Sequence, residues 1–426
     1  MPQAGLLDWQ IRANDKRTGW RASKMGSPGE AQQRIVRRGF GLKNQIRDSL
    51  MADFHSDLVE RIRGQNNTIR VGRLTFRLAE EFGFCYGVDF ALNLAYETRR
   101  KFPDRRIFLT NEIIHNPSVN SRLREMGIEF IDCSASNPDR FAQIESDDIV
   151  MLPAFGAPAS EHRDLREKSC LVVDTTCGSV VAVWKRVQRY ASEGITTIIH
   201  GKHAHEETRA TSSQVTEYEG GKYLVVLDKA EAALVCRQIT EGGDSREFMK
   251  RFKQACSPGF DPDTDLQRVG LANQTTMLSS ESLEIAEMFR EAITRRYGCD
   301  EVTRRFRHFD TICTATQDRQ DAVEKLVRED VDLMIVIGGY NSSNTAHLCE
   351  ISSLHKPAYH IGDAGCIVSR FIIRHKPVDR AGEVLTENWL PEGNVKIGVT
   401  AGASTPDRIV GQVIDRIAEA SRANLE

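Results

Sequence analysis

Three cysteines occupy matching points of this chain. Cys177 ends Val172-Val173-Asp174-Thr175-Thr176-Cys177, after an apolar run over 170–173 and before a helix-like stretch over 179–192. Cys313 ends Phe309-Asp310-Thr311-Ile312-Cys313 and precedes a helix-like stretch over 314–327. Cys85, in Gly83-Phe84-Cys85-Tyr86-Gly87-Val88, falls between a strand over 75–78 and a helix over 88–100. Each thiol is thus expected at a strand-to-helix turn. There the helix dipole and free backbone N–H groups favour the thiolate, which ligates metal or attacks an electrophile. Three such turns, far apart in sequence, read as one convergent site. Three thiolates can hold a [4Fe–4S] cluster at three irons and leave the fourth open. The competing reading of a free cysteine is a small buried hydrophobe. Cys133, Cys170, Cys236, Cys256, Cys299, Cys349 and Cys366 lack the turn setting and are expected to be of that kind. No C-x-x-C occurs, which disfavours a zinc ribbon, a thioredoxin-type dithiol and a bacterial-ferredoxin motif.

Four further motifs stand just past predicted strands. Ile199-His200-Gly201-Lys202-His203-Ala204-His205-Glu206-Glu207-Thr208 offers His205 and Glu207 for proton transfer; its alternative is a solvated turn. Ile337-Gly338-Gly339-Tyr340-Asn341-Ser342-Ser343-Asn344-Thr345 places two glycines and then small polar side chains at a helix start. That is the design of an anion cradle, with free N–H groups, the positive dipole end and hydroxyl or amide donors. It lacks the lysine of a Walker A loop, and plain N-capping would also explain it. Val399-Thr400-Ala401-Gly402-Ala403-Ser404-Thr405-Pro406-Asp407 repeats the design, with Ser404 facing the same pocket. Thr110-Asn111-Glu112-Ile113-Ile114-His115-Asn116-Pro117 adds His115 as an anion ligand.

The elements that must position these residues follow from the apolar pattern. Strands are expected over 106–110, 149–152, 170–173, 196–200, 223–227, 269–272, 333–337, 358–361 and 395–400, with helices between most of them. Such alternation predicts an α/β fold with largely parallel sheets, whose ligand sites lie beyond the C-terminal strand ends. The three cysteine turns predict three similar α/β units around a central cavity, over 71–172, 173–305 and 306–404, with a C-terminal helix over 405–426. Residues 1–70 form a mostly helical N-terminal extension: Arg-rich, with Trp9, Trp20 and a Gly26-Ser27-Pro28-Gly29 break, and one or two amphipathic helices over 34–63. It is read as a surface clasp. Residues 241–268, rich in Gly, Asp and Pro, are expected to be an inserted surface loop.

The 426 residues carry a formal net charge of −3, are 40% hydrophobic and 27% charged, and include ten cysteines. No global charge bias points to nucleic acid or membrane. No apolar run approaches the roughly 18–20 residues of a membrane span. No start resembling a secretory signal is visible, so free thiols in a reducing compartment are expected. A cytoplasmic location follows. Plastid stroma is the alternative if the extension is a transit peptide, against which Asp8, Asp15 and Glu30 argue.

Taken together and in order, GFCYGV, NEIIHNP, DTTC, HEET, NQTT, DTIC, NSSN and TAGAST resemble the 4-hydroxy-3-methylbut-2-enyl diphosphate reductase family of the non-mevalonate isoprenoid pathway. The resemblance covers roughly residues 74–418. The long N-terminal segment and LPAFGAP are similar to the plant and cyanobacterial branch. The resemblance implies a [4Fe–4S] cluster on Cys85, Cys177 and Cys313. It implies diphosphate-binding positions at His115, Ser342, Asn344 and Ser404, with Ser343 beside them. It further implies Glu207 as proton donor, His205 as a diphosphate or relay histidine, and Thr275 as a hydrogen-bond partner of the substrate. Two electrons would come from a carrier such as ferredoxin or flavodoxin. Two positions depart from many members. Phe155 stands where they have a histidine, so Lys202 or His203 would replace a lost diphosphate donor. Gly178 stands where they have proline after the second cysteine, which would loosen that turn. From the residues alone, a non-redox phospholigand-binding protein and a zinc hydrolase using the three thiolates remain the rival readings.

Overall fold

A computed structural model describes residues 35–131 and 139–422. Trp9, Trp20, the Gly26–Gly29 break and Cys133 lie outside the described residues.

Uninterrupted runs of apolar residues make buried strands, and three parallel sheets form from them. The first has the spatial order Ile35–Val36, Leu171–Asp174, Ile149–Leu152, Ile107–Leu109, Ile128–Phe130. The second runs Phe306–His308, Val269–Asn273, Thr196–His200, Tyr223–Val226. The third runs Ala358–Ile361, Leu333–Ile337, Val395–Ala401, Leu74–Leu78, Thr68–Val71, and only its last pair is antiparallel. Each sheet has its own apolar core. The α/β class with largely parallel sheets is as expected, and among the described residues the sheets number three besides a two-stranded one, Ile372–His375 with Val384–Glu387. Sheet membership, however, cuts across contiguous sequence: Leu74–Leu78, which leads to Cys85, is a strand of the third sheet, paired with Val395–Ala401.

The segment before the first cysteine is a clasp with strands at both ends. Ile35–Val36 pairs in parallel with the strand that leads to Cys177. The Lys43–Phe54 helix lies on the Cys85 helix, where the Asp53 carboxylate accepts from Tyr96 Oη at 2.6 Å and Arg122 Nε at 2.9 Å. The Asp57–Arg63 helix buries Val59 and Ile62 in the third core, and Arg63 forks onto Asp407. The loop expected over 241–268 is instead structured. It contains the Ser245–Phe252 and Pro262–Asp265 helices and buries Phe248, Phe252, Phe260 and Leu266 in the second core. Phe248 and Phe252 at i, i+4 give that short helix an apolar stripe, which the surrounding Gly, Asp and Pro residues mask in composition.

Candidate active site

All three cysteines are helix N-caps: Cys85 for Tyr86–Lys101, Cys177 for Gly178–Ser192 and Cys313 for Thr314–Arg328. Each is held by its own backbone N–H, which donates to a carbonyl of a neighbouring strand-end loop. Cys85 bonds Ala403 at 3.2 Å, Cys177 bonds Ala154 at 2.8 Å, and Cys313 bonds Thr275 at 3.3 Å. The turns therefore interlock around the centre rather than merely pointing at it. Gly87 shows how close they come. A Cβ there would lie 2.5 Å from Cys177 Sγ and 3.9 Å from Cys85 Sγ, so only glycine fits between these two thiols.

The thiols, uncrosslinked, line a cavity of about 120 Å3. That is several times the roughly 10–15 Å3 a single water requires. Burial pushes the Cys177 thiol up and the Cys313 thiol to about 11, although backbone N–H groups of the helix starts pull the other way. This corrects the sequence expectation of favoured thiolates: desolvation outweighs the dipole when no positive charge is at hand. No side-chain cation figures among the causes for either thiol. The site thus has three electron-rich ligands on one wall and no protein cation to match them. A metal centre would supply that charge and deprotonate the thiols.

The opposite wall has the converse need. Asn344 is buried; its Oδ1 accepts from Ala403 N at 3.0 Å, while Nδ2 has no partner. His115 directs Nδ1 at Glu112 Oε2, 3.2 Å away, and its buried Nε2 makes no hydrogen bond and faces Glu206 Oε2 at 3.6 Å. Ser342 caps the Ser343–Ser353 helix by accepting from Thr345 N at 3.3 Å. Ser343 Oγ accepts from Gln274 at 3.2 Å, and Ser404 Oγ donates to the His115 carbonyl at 3.2 Å. Gly339 allows the close approach, since a Cβ there would meet that same carbonyl at 2.4 Å. These groups and the helix N-terminus face the same cavity as the thiols.

Glu207 sits between the two walls, 3% exposed. Thr275 donates to it twice, from N to Oε1 at 2.6 Å and from Oγ1 to Oε2 at 3.0 Å. Burial nevertheless raises its carboxyl to about 7, against the pull of those two bonds. His205 accepts from Glu207 N at Nδ1, 3.2 Å, so the neutral ring carries its proton on Nε2. Burial first, then His115 and Lys202, lower its pKa to about 3. His115, His205 and Glu206 bring potential ligand atoms within 4.8 Å of one another. With its proton on Nε2, His205 serves there as a donor rather than a metal ligand.

Every sequence-derived candidate, Cys85, Cys177, Cys313, His115, His205, Glu207, Thr275, Ser342, Ser343, Asn344 and Ser404, lines this one cavity. Lys202 and His203 do not. Burial, then Lys376, lowers the Lys202 ammonium against the pull of Glu350, and His203 lines a separate cleft of about 790 Å3 beside Arg140 and Glu161. The position that lacks a histidine is filled by stacking: Phe155 lies parallel to His115, with centroids 4.7 Å apart. At Gly178 a side chain would meet nothing within 4 Å. Two residues escaped the sequence reading. Buried Arg319, on the Cys313 helix, donates to the Gly83 carbonyl at 2.7 Å and to that of Phe84 at 3.1 Å, fixing the Cys85 turn. Gln274 ties Lys202, Thr208, Thr276 and Ser343 together.

The LytB protein family model matches residues 76–418. A relative from Gloeobacter violaceus, named 4-hydroxy-3-methylbut-2-enyl diphosphate reductase, is 52% identical over 387 residues, 90% of this chain and 92% of its own. One from Synechococcus sp. with the same name is 51% identical, covering 92% of this chain and 95% of its own. Among solved structures, the E-1-hydroxy-2-methyl-but-2-enyl-4-diphosphate reductase of Plasmodium falciparum is 21% identical, with a TM-score of 0.58 over 80% of this chain and 86% of that one, which shows a shared fold. With its strand-end motifs inside the matched span and relatives at half identity along nearly its whole length, the chain belongs to the LytB protein family.

Proposed function

We propose that this chain catalyses the reductive dehydroxylation of 4-hydroxy-3-methylbut-2-enyl diphosphate to isopentenyl and dimethylallyl diphosphate. The observation that carries the reading is one cavity lined both by three thiols, with no lysine or arginine among its lining residues, and by buried Asn344 and His115 nitrogens that make no hydrogen bond. Names borne by relatives at half identity support it.

The donor set suits a [4Fe–4S] cluster on Cys85, Cys177 and Cys313: three soft ligands from three turns, and no fourth cysteine lining the cavity among the described residues. When bound, such a cluster would supply the two electrons and, at the iron without a protein ligand, a Lewis-acidic position for the substrate hydroxyl. The rest falls to the chain's own side chains. Asn344 Nδ2 donates to the diphosphate, and His115 Nε2, with Nδ1 held at Glu112, lines the same cradle. The N–H groups and dipole of the Ser343–Ser353 helix add to that hold. Anchored there, the short substrate extends its allylic carbon toward the thiol wall. Hydroxide leaves poorly, so the C–O bond breaks with a proton delivered to its oxygen. Glu207, with a carboxyl poised near 7, holds that proton, and Thr275 orients it. Two electrons and two protons are consumed in all. The C–O bond is replaced by a C–H bond at one end or the other of the allyl unit, and water departs.

The test is anaerobic reconstitution with iron and sulfide. A brown protein with stoichiometric iron, turning over the diphosphate with reduced viologen, is the expected result. A colourless protein that binds the diphosphate without iron, or one that takes up only zinc, overturns the reading.

A further inference from the structure

We infer that an acidic one-electron carrier protein docks directly over the thiol turns, on a basic and aromatic patch around Arg186 and Phe309. The inference rests on the reductase reading and adds the place and chemistry of the partner contact. The residue after each cysteine, Tyr86, Gly178 and Thr314, is exposed, so the thiols lie one residue beneath the surface. The cradle residues Ser342, Asn344 and Ser404 line the same cavity but are buried, so they offer no such surface. Two aromatics stand out of this thin cover: Tyr86 is 76% exposed and Phe309 51%. Large exposed aromatics cost solvation and are enriched in interfaces.

Cations gather on one side of Phe309, while Asp310 beside it and Asp89 near Tyr86 are exposed carboxylates at the rim. The Arg186 guanidinium lies 3.8 Å from the Phe309 ring centroid. Gly178, Ala182, Lys185 and Arg189 follow one another at i+4, i+3 and i+4, all exposed, on one face of the helix capped by Cys177. That face is flat near the thiol and basic beyond it. Arg307 adds an exposed cation beside Phe309. Arg189 is paired with Glu193 at 2.9 Å, but Lys185, Arg186 and Arg307 have no carboxylate partner among the described residues. In a chain of net charge −3, Lys185, Arg186, Arg189 and Arg307 outnumber Glu193 and Asp310 around the Phe309 ring, and this local positive excess is complementary to a small acidic carrier. Two successive visits, each oxidising one carrier by one electron, supply the two electrons of a turnover.

The test uses the reconstituted holoenzyme, the K185E/R186E double variant and a plant-type [2Fe–2S] ferredoxin as the probe. Ferredoxin binding is measured by calorimetry at low and high ionic strength, alongside turnover with reduced viologen, which needs no docking surface. The double variant is expected to keep its iron and its viologen-driven rate while binding ferredoxin roughly tenfold or more weaker, with a flatter salt dependence. K250E, a charge reversal on the Ser245–Phe252 helix, is expected to leave binding unchanged. Equal ferredoxin affinity in wild type and double variant, or an equal loss in K250E, overturns the docking site. Absence of viologen-driven turnover in the wild type would instead overturn the reductase reading.

Discussion

The two walls of the central cavity are built from the same part and serve opposite charges. Each is made of strand ends that feed helix N-termini, with a small polar or sulfur-bearing residue as the cap. Where the cap is cysteine, only the Cys313 sulfur accepts a cap bond, from Thr316 N at 3.3 Å, and burial drives the Cys177 and Cys313 thiols toward the neutral form. Where the cap is serine followed by asparagine, donors are left over and the wall awaits an anion. Backbone geometry alone therefore does not assign a ligand to a helix N-terminus. The cap side chain and the surplus or deficit of donors do.

The comparison breaks most completely if the thiol wall is emptied. Cys85→Ser, Cys177→Ser or Cys313→Ser is each expected to lose most of its iron and to drop to background turnover, because a serine hydroxyl is a poor ligand for iron held by thiolates. Gly87→Ala should do nearly as much without replacing a ligand, since its Cβ would come within 2.5 Å of Cys177 Sγ and displace it. Cys256→Ser is the contrast. Buried in the second core, it should cost about 1–3 kcal/mol of stability and leave iron intact. Iron and acid-labile sulfide analysis checks all five variants. Iron loss in Cys256→Ser with retention in Cys313→Ser would reverse the assignment.

Glu207, between the walls, sharpens the contrast by its proton. Glu207→Gln keeps the shape and the bonds to Thr275 but cannot deliver a proton. Iron and substrate affinity should stay near normal while turnover falls at least about 100-fold, the low end for general acid catalysis. A raised carboxyl pKa means the protonated form persists below about 7. Wild-type turnover should accordingly be level on the acid side and decline as pH rises through that value, and the residual rate of Glu207→Gln should lack this alkaline limb. If Glu207 only caps its helix, glutamine would be nearly silent in both measurements.

Much of this was legible in the chain itself, and the reasons differ by element. Ile149–Leu152, Thr196–His200, Leu333–Ile337 and Ala358–Ile361 match their expected bounds because each is an apolar run with clear punctuation. The two-residue strand Ile35–Val36 carries no such pattern; only its partner strand makes it one. The cysteine turns were visible because the strand-to-helix setting is local. The raised thiol pKa values were not, since burial is a property of the assembled fold. Arg319 reads locally as a surface helix residue, and its carbonyl partner at Gly83 lies 236 positions away. Gln274 likewise draws its partners from three separate segments. Lys202 and His203 were the candidates to replace the donor lost at Phe155. Neither lines the cavity, and Phe155 fills the position by stacking on His115 instead.

The smallest expected effects lie within the cradle, and they rank its donors. Asn344 Nδ2 is buried with nothing to donate to, so a diphosphate oxygen would gain a bond at no cost to the protein. Ser404 Oγ is already engaged with the His115 carbonyl at 3.2 Å and must give up or share that bond to serve the substrate. Hydrogen bonds to charged groups contribute roughly 1.5–3 kcal/mol. Asn344→Ala should therefore weaken binding by about one to two orders of magnitude, while Ser404→Ala should fall below that range. The asparagine change also removes Oδ1 from Ala403 N, whose neighbour Ser404 and whose carbonyl partner Cys85 both line the cavity. To separate the two effects, Asn344→Asp retains the Oδ1 acceptor for Ala403 but replaces the donor with a charge that repels the anion. A loss of affinity in Asn344→Asp at least as large as in Asn344→Ala, with iron retained, marks the amide as a diphosphate donor. Affinity retained in Asn344→Asp and lost only in Asn344→Ala would reduce Asn344 to a brace for the 402–404 turn.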